Sequence, residues 1–336
     1  MSTVIRVENL FKDYPVPGEK AMLHAVSNVS FGVERGETLG LVGESGSGKT
    51  TVGKCILRLE ELTDGEVFFD DEPIGHIPLT EMTSLRSRMQ MVFQEPYSSL
   101  NPRLSVRTAV EEPLKLLTDM SAGERKERIL EMFDMLALKP EVLDLYPHEL
   151  TGGQAQKACI ARALVTHPEF VVHDEPTSFL DASSRAEILT RLVRLQNEMG
   201  LSYLYISHDL TTVKDMADRV AVMYLSQVVE MGTKETIFEH HVHPYTRALL
   251  SSVLFPDPTL ERSSYKLEGE IPSPIDLPSG CYLYQRCPMA QPECKENPQR
   301  LVDVGGGHLV RCQVVTSEYV ELDPSLGPDA RSAVAA

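Results

Sequence analysis

The sequence is short of positive charge. Lys and Arg total 32 against 49 Asp and Glu, a formal net charge of −17 over 336 residues. A nucleic-acid binder needs a basic stripe to displace counterions. A protein held on anionic lipid by charge alone needs clustered Lys and Arg. The balance argues against both. Long apolar runs are also missing, for none approaches the ~18–20 residues of a membrane-spanning helix. The opening residues, Met1 to Glu8, lack the apolar core of a secretory signal. The expectation is a soluble, intracellular protein, with 42% hydrophobic and 24% charged residues as in an ordinary globular chain. The length is enough for a large domain or two.

What is present changes along the chain. Residues 251–336 hold 10 of the 22 prolines and 4 of the 6 cysteines. The first 250 residues alternate short apolar runs with helical patterns, an α/β reading. Strands are expected at Val4–Val7, Thr38–Val42, Met89–Phe93, Phe170–Val172, Tyr203–Ile206 and Val220–Tyr224. Ile129, Met132, Phe133 and Leu136 mark one helix by their i, i+3, i+4, i+7 spacing. A second helix is expected from Ser184, with Glu187 completing a capping box, to Gly200 as its C-terminal cap. Its buried face is Ile188, Leu192, Leu195 and Met199. Ala330–Ala336 reads as a frayed tail.

The segment Gly43-Glu44-Ser45-Gly46-Ser47-Gly48-Lys49-Thr50 fits G-x-x-x-x-G-K-[ST] in full, after a strand-like run and before a helical one. Glycines let successive backbone N–H groups turn toward phosphate. The next helix, with Thr51 in its first turn, points its N-terminus at the same anion. Lys49 suits the β- and γ-phosphates and the Thr50 hydroxyl suits Mg²⁺. Such a loop alone leaves kinases, GTPases and motors open.

Further segments narrow the choice. Leu150-Thr151-Gly152-Gly153-Gln154 is followed by Phe170 to Asp181, which contains Asp174-Glu175-Pro176, and then by Ile206-Ser207-His208-Asp209. In this order the segments resemble the motifs of ABC-type ATPases. The resemblance implies a P-loop NTPase fold with a helical signature subdomain at about 95–165, inside an ATPase domain of residues 1–250. It implies Walker A at the phosphate loop and a Walker B pair at Asp174 and Glu175. Asp174 would hold Mg²⁺ through water and Glu175 would act on the attacking water. Gln94 matches the Q-loop, touching Mg²⁺ and that water. His208 is the switch histidine, Asp181 the D-loop aspartate, and Tyr14 the aromatic that stacks on adenine. In the family the signature, Thr151 to Gln154, completes the ATP site of an opposite subunit, so a second ATPase subunit is implied, identical or homologous.

Four positions depart from the usual family pattern. Thr151 replaces a serine, Ala155 a basic residue, His173 an apolar residue and Phe179 a small one. None removes a catalytic group, and the expectation is that the site completed by this signature is tuned down.

His243-Pro244-Tyr245 precedes Cys281, Cys287, Cys294 and Cys312, spaced C-x₅-C-x₆-C-x₁₇-C. Disulfides are disfavoured in a reducing compartment. Free buried cysteines, a Cys₄ zinc site without the usual C-x₂₋₄-C pairs and a [4Fe–4S] cluster are the readings of this spacing. The segment is similar to the C-terminal extension of the oligopeptide/dipeptide subfamily of ABC importer ATPases, here residues 251–336. That resemblance favours the [4Fe–4S] cluster, with Zn²⁺ as the alternative. His240, His241 and His243 could suggest a further metal site, but they coincide with the subfamily's His-Pro-Tyr stretch. Cys55 and Cys159 read as packing residues.

The resemblance implies an ATP-hydrolysing subunit at the cytoplasmic face of the inner membrane. Its partners would be a second ABC ATPase, two transmembrane permeases and an extracytoplasmic solute-binding protein, with no nucleic acid. Cargo would be di- or oligopeptides, with nickel or oligosaccharide as alternatives. A carbon–phosphorus lyase accessory subunit, a DNA-repair ATPase and an iron–sulfur regulator that only binds nucleotide are rival readings. The cysteine-rich tail counts against the first and the charge against the second. Intact Glu175 and His208 count against the third.

Overall fold

A computed structural model describes residues 2–252 and 265–322. The expected tail at Ala330–Ala336 lies outside the described residues.

The chain opens with two long antiparallel strands, β1 (Thr3–Pro15) and β2 (Met22–Glu34). β3 (Thr38–Val42) runs into the phosphate loop and α1 (Lys49–Ile56). β4 (Asp64–Phe69) and β5 (Glu72–Pro73) then join β1 and β2 in a four-stranded antiparallel sheet of order β2-β1-β4-β5. β6 (Met89–Val92) belongs to the main sheet. Between it and β7 (Phe170–Asp174) stand four helices: α2 (Pro96–Ser99), α3 (Val106–Leu117), α4 (Ala122–Met135) and α5 (Gly152–Leu164). They occupy the span expected for the helical subdomain. Then follow α6 (Ala182–Met199), β8 (Ser202–Ser207), α7 (Leu210–Met216), β9 (Arg219–Tyr224), β10 (Gln227–Thr233), α8 (Lys234–Glu239) and α9 (Pro244–Ser251). Two short strands, β11 (Val302–Asp303) and β12 (Leu309–Val310), and α10 (Gln313–Leu322) follow.

The main sheet has the order β11-β12-β10-β9-β3-β8-β7-β6. Its five strands β6, β7, β8, β3 and β9 are parallel. β3, β7 and β8 are buried along their whole length, which is why their sequences read as apolar runs rather than alternations. Helix α1 lies between the two sheets. Val52, Cys55 and Ile56 pack there with Val7 and Val67 from one sheet and Val172 and Ile206 from the other. The opposite face of the main sheet is covered by the helices, through residues such as Cys159, Leu164, Leu192 and Val213. Both helical cysteines are therefore core residues, as expected.

β12 pairs with β10 across a long sequence gap, Val310 opposite Glu230 and Leu309 opposite Met231. Glu230 is wholly buried, and its carboxylate meets His308 Nε2 at 2.8 Å. The buried Arg311 guanidinium donates to the carbonyls of Val228 (2.7 Å), Asn28 (3.2 Å) and Gln299 (3.1 Å). Residues past the expected boundary at 250 thus return to the core sheet.

Both predicted helices form. Helix α6 begins earlier than its capping box suggested. Asp181 caps it by accepting from the N–H groups of Ser183 and Ser184, both at 3.0 Å. Glu187 is drawn off instead by Lys157 of α5, at 2.6 Å. Gly200 closes the helix in the left-handed conformation, as expected.

His173 comes directly before Asp174, at the end of β7. It is completely buried in β7, its ring edge-on to Tyr203 at 4.5 Å, and neither ring nitrogen has a hydrogen-bond partner. Burial pushes its pKa down to about 3, so the ring is neutral in the folded chain. The unfolded chain takes up a proton below about pH 6.5. Stability is therefore full above that pH and falls by about 1.4 kcal/mol per unit as pH drops toward the folded value. His173→Leu is expected to remove that slope and to add about 1–2 kcal/mol at neutral pH by deleting two unpaired polar atoms. Denaturant melts at pH 7 and pH 5 check it. A gap between the proteins that fails to widen on acidification would refute it.

Candidate ATP site

The phosphate loop forms where β3 ends. Gly43 and Gly48 both have positive φ, at 153° and 101°. A Cβ at Gly43 would lie 2.1 Å from the Met223 carbonyl, and one at Gly48 would lie 2.1 Å from that of Ala25. Only glycine lets the loop thread between these backbones. Ser45 and Gly46 stand exposed at its crest and Ser47 is buried. Lys49 is buried too, and its Nζ donates to the carbonyls of Gly43 (2.9 Å) and Glu44 (2.8 Å). Burial lowers its pKa, while Glu175, Asp174 and Glu44 oppose that shift. The ammonium thus sits at the floor of a loop of backbone donors, suited to an anion.

Asp174 ends β7 and accepts from the Thr50 hydroxyl at 2.9 Å. Burial raises its pKa, with the Thr50 hydrogen bond acting against it. Glu175 follows with φ 45°, a conformation that bulky residues rarely adopt and that turns the side chain out of the strand line. Its Oε2 receives three groups: Gln94 Nε2 at 3.1 Å, Ser178 Oγ at 2.8 Å and His208 Nδ1 at 2.9 Å. Gln94, Glu175 and His208, 114 residues apart in sequence from first to last, meet at one carboxylate oxygen. Ser178 was not singled out in the sequence. The signal for it is its place three residues after Glu175, where a turn brings the hydroxyl back.

Tyr14 ends β1 half-buried beside Thr51 of α1, with Lys12 Nζ 4.6 Å from its ring centroid. Burial raises its hydroxyl pKa, with Glu60 the next contributor. Thr151 caps α5. Its Oγ1 accepts the Gln154 N–H at 3.3 Å, and the Gln154 side chain accepts the Thr151 N–H at 3.0 Å. Gly152 and Gly153 open the helix behind this cap. Asp181, whose carboxylate caps α6, has a lowered pKa from its hydrogen bonds with Ser184.

The histidines of the His-Pro-Tyr stretch, not expected to bind metal, have a structural role. His243 Nδ1 accepts the Tyr245 N–H at 3.2 Å and so caps α9. Pro244 takes the first helical position, where a missing N–H costs nothing.

The four tail cysteines line one small enclosed cavity with Met289 and Ala290. Burial pushes the Cys281 thiol up to about 12 and the Cys312 thiol to about 11. Among the described residues, no three His, Cys, Asp or Glu side chains stand close enough together to hold a metal ion. The thiols thus converge without a preformed ligand set.

The ABC transporter family model matches residues 26–178, which span the phosphate loop, Leu150–Gln154 and the Asp174–Glu175 pair. A second model, the oligopeptide/dipeptide transporter C-terminal region, matches residues 229–294. The dipeptide transport ATP-binding protein DppF of Haemophilus influenzae is 45% identical, over 90% of this chain and 94% of the relative. The chain belongs to the ABC transporter ATPases. Its cassette also resembles solved members of that family. One is the dimeric ATP-binding cassette MJ0796 in a post-hydrolysis state with ADP and Pi, at TM-score 0.63 and 30% identity over 68% of this chain and 98% of that one. Another is cbiO1 of Clostridium perfringens, part of the ABC transporter complex cbiONQ, at TM-score 0.63 and 27% identity over 71% and 91%. The α/β cassette fold, the ATPase class and the oligopeptide-type C-terminal region read from the sequence are all found. Among the described residues, no helix of this ABC ATPase is long and apolar enough to cross a membrane.

Proposed function

We propose that this ABC ATPase energises an importer of di- or oligopeptides from the cytoplasmic face of the membrane. The observation that carries the reading is the meeting of Gln94, His208 and Ser178 on Glu175, beside the phosphate loop of a chain with an oligopeptide-type C-terminal region.

In this reading Tyr14 meets adenine, and Gly43 to Thr51 with Lys49 hold the phosphates. The oxygen donors Thr50, Asp174 and Gln94 suit a hard cation. Mg²⁺, when bound with ATP, supplies charge neutralisation on the phosphates. Glu175 orients the attacking water and takes its proton, and Gln94 and His208 fix the carboxylate that does so. Thr151, Gly152, Gly153 and Gln154 present a second helix N-terminus to the γ-phosphate held by a partner ATPase, and Asp181 lies at that junction. The dimeric state of the MJ0796 cassette supports this arrangement.

Coupling to permease subunits is proposed at a groove of about 670 Å³ beside Gln94. Met89, Met91 and Phe93 line its floor, and Leu116 and Leu117 of α3 its rim. Leu116 is 72% exposed, a cost that a docked apolar helix from a permease would remove. Leu116→Glu in the reconstituted importer is expected to lower peptide-stimulated ATP turnover by about tenfold or more, leaving the free chain's turnover unchanged. Stimulated turnover equal to that of the unaltered importer would refute the docking site. Failure of the unaltered chain to assemble with any peptide permease pair would refute the transport reading.

The convergence of Cys281, Cys287, Cys294 and Cys312 on one cavity supports a thiolate-held structural group, a [4Fe–4S] cluster by preference over Zn²⁺. Binding would require the thiols to lose their protons. Anaerobic purification is expected to give a brown protein that bleaches on chelation, with a drop in melting temperature. A colourless preparation carrying one zinc per chain would overturn the cluster.

A further inference from the structure

The second residue of the phosphate loop is gripped from the C-terminal side of the molecule. The Glu44 N–H donates to the Tyr245 hydroxyl at 3.0 Å. Tyr245, of the His-Pro-Tyr stretch, is 1% exposed, and its ring packs on Tyr224 at 4.6 Å. The Glu44 carboxylate faces Arg286, Oε2 to Nη1 at 3.6 Å. Arg286 lies in the turn between Cys281 and Cys287, and its Nη1 also reaches the Tyr224 hydroxyl at 3.4 Å. The Glu44 carbonyl in turn accepts from Lys49 Nζ at 2.8 Å.

We propose that Tyr245 and Arg286 are positioning residues for the phosphate loop. Through them the cysteine-bearing region sets the affinity for ATP. The chemistry is specific at each atom. Tyr245 offers a fixed acceptor to an N–H that would otherwise be free to turn, and so fixes the peptide plane it shares with the Gly43 carbonyl, which receives Lys49 at 2.9 Å. Arg286 balances a carboxylate that would otherwise add negative charge beside incoming phosphates. Glu44 Oε2 and Arg286 Nε are both buried atoms without a hydrogen-bond partner among the described residues. A pair left so in a protein interior is costly unless it serves a second state. A small inward movement of the loop would let the guanidinium and carboxylate bond directly. Packing alone explains the Tyr245 ring, but neither its hydroxyl contact nor a part-buried arginine whose one carboxylate partner among the described residues is in the phosphate loop.

The inference rests on the phosphate loop holding ATP. The full-length chain is titrated with a fluorescent ATP analogue and Mg²⁺, and its turnover, melting temperature and count of reactive thiols are measured. Tyr245→Phe and Arg286→Gln are expected to raise the dissociation constant and KM about three- to tenfold each, the effect of one lost polar contact. Their kcat stays within about twofold and their melting temperature and thiol count stay unchanged. Arg286→Lys is expected to recover most of the loss. In a Glu44→Gln background the added effect of Arg286→Gln should vanish, because the charge it balances is gone. Unchanged affinity in both variants overturns the proposal. So does an affinity loss that tracks the melting temperature, or an Arg286→Gln effect that persists in full without the Glu44 carboxylate. An unaltered chain that fails to bind the analogue overturns the ATP reading itself, and the two failures are thereby distinct.

Discussion

Glu175→Gln is expected to keep ATP bound and to cut its turnover by about two to four orders of magnitude. The substitution preserves shape and one oxygen, so the contacts from Gln94, Ser178 and His208 can persist on that oxygen. It removes the anionic group on which those three side chains meet. A neutral amide cannot accept a proton from water, so the chemical step fails while the phosphate loop, Lys49 and Thr50 are untouched. Phosphate release and analogue binding, measured on the same preparation, check the two halves. Turnover within about tenfold of the unaltered chain would mean that some other group takes the proton. In a dimer like that of the MJ0796 cassette, a blocked chemical step should also hold the closed state, visible as a shift to the larger species when ATP is added.

The second large effect comes from backbone geometry. Gly48→Ala is expected to abolish measurable ATP binding and to destabilise the chain by about 3 kcal/mol or more, the joint cost of a left-handed alanine and a hard clash. The added methyl would sit 2.1 Å from the Ala25 carbonyl. That oxygen belongs to β2, whose flanking residues His24 and Val26 pair with Asp13 and Lys12 of β1, so it cannot retreat alone. Gly46→Ala is the matched control. Gly46 also has a positive φ, of 78°, but a Cβ there meets nothing within 4 Å, so only the conformational term of about 1 kcal/mol applies. Thermal melts of the two variants side by side decide it, and equal losses would sink the argument from the Ala25 contact.

Legibility in the sequence followed burial. β3, β7, β8 and β9 were readable because strands covered on both faces are apolar throughout. β2 escaped notice because Ser27 and Asn28 break its alternation. Asn28 has a φ of 53°, in a stretch where the register against β1 shifts. β10 was hidden by Glu230, a carboxylate at the centre of a buried strand. Nothing local predicts that residue. Its reason is His308, 78 positions away, which no spacing rule connects to it. The site divides the same way. The phosphate loop and the Asp174–Glu175 pair are contiguous motifs, so their chemistry was visible before any fold. That Ser178 joins Gln94 and His208 on one oxygen, and that Tyr245 and Arg286 reach Glu44, are facts of three-dimensional closure. The capping box at Ser184 misled because Glu187 had a better partner in Lys157 on a neighbouring helix.

The short strand β12 has a consequence for where this protein can be cut. Leu309 and Val310 lie beyond residue 294, where the recognised C-terminal region stops, yet they occupy the backbone hydrogen-bonding groups of β10 at Glu230 and Met231. A chain ended at 250 or at 294 would leave that side of the sheet open, with an apolar strand ready to template association with another molecule. It would also strand the Glu230 carboxylate in the interior without His308. Strand β12 therefore seals this side of the sheet against association, and it ties residues beyond 294 to the cassette's own sheet.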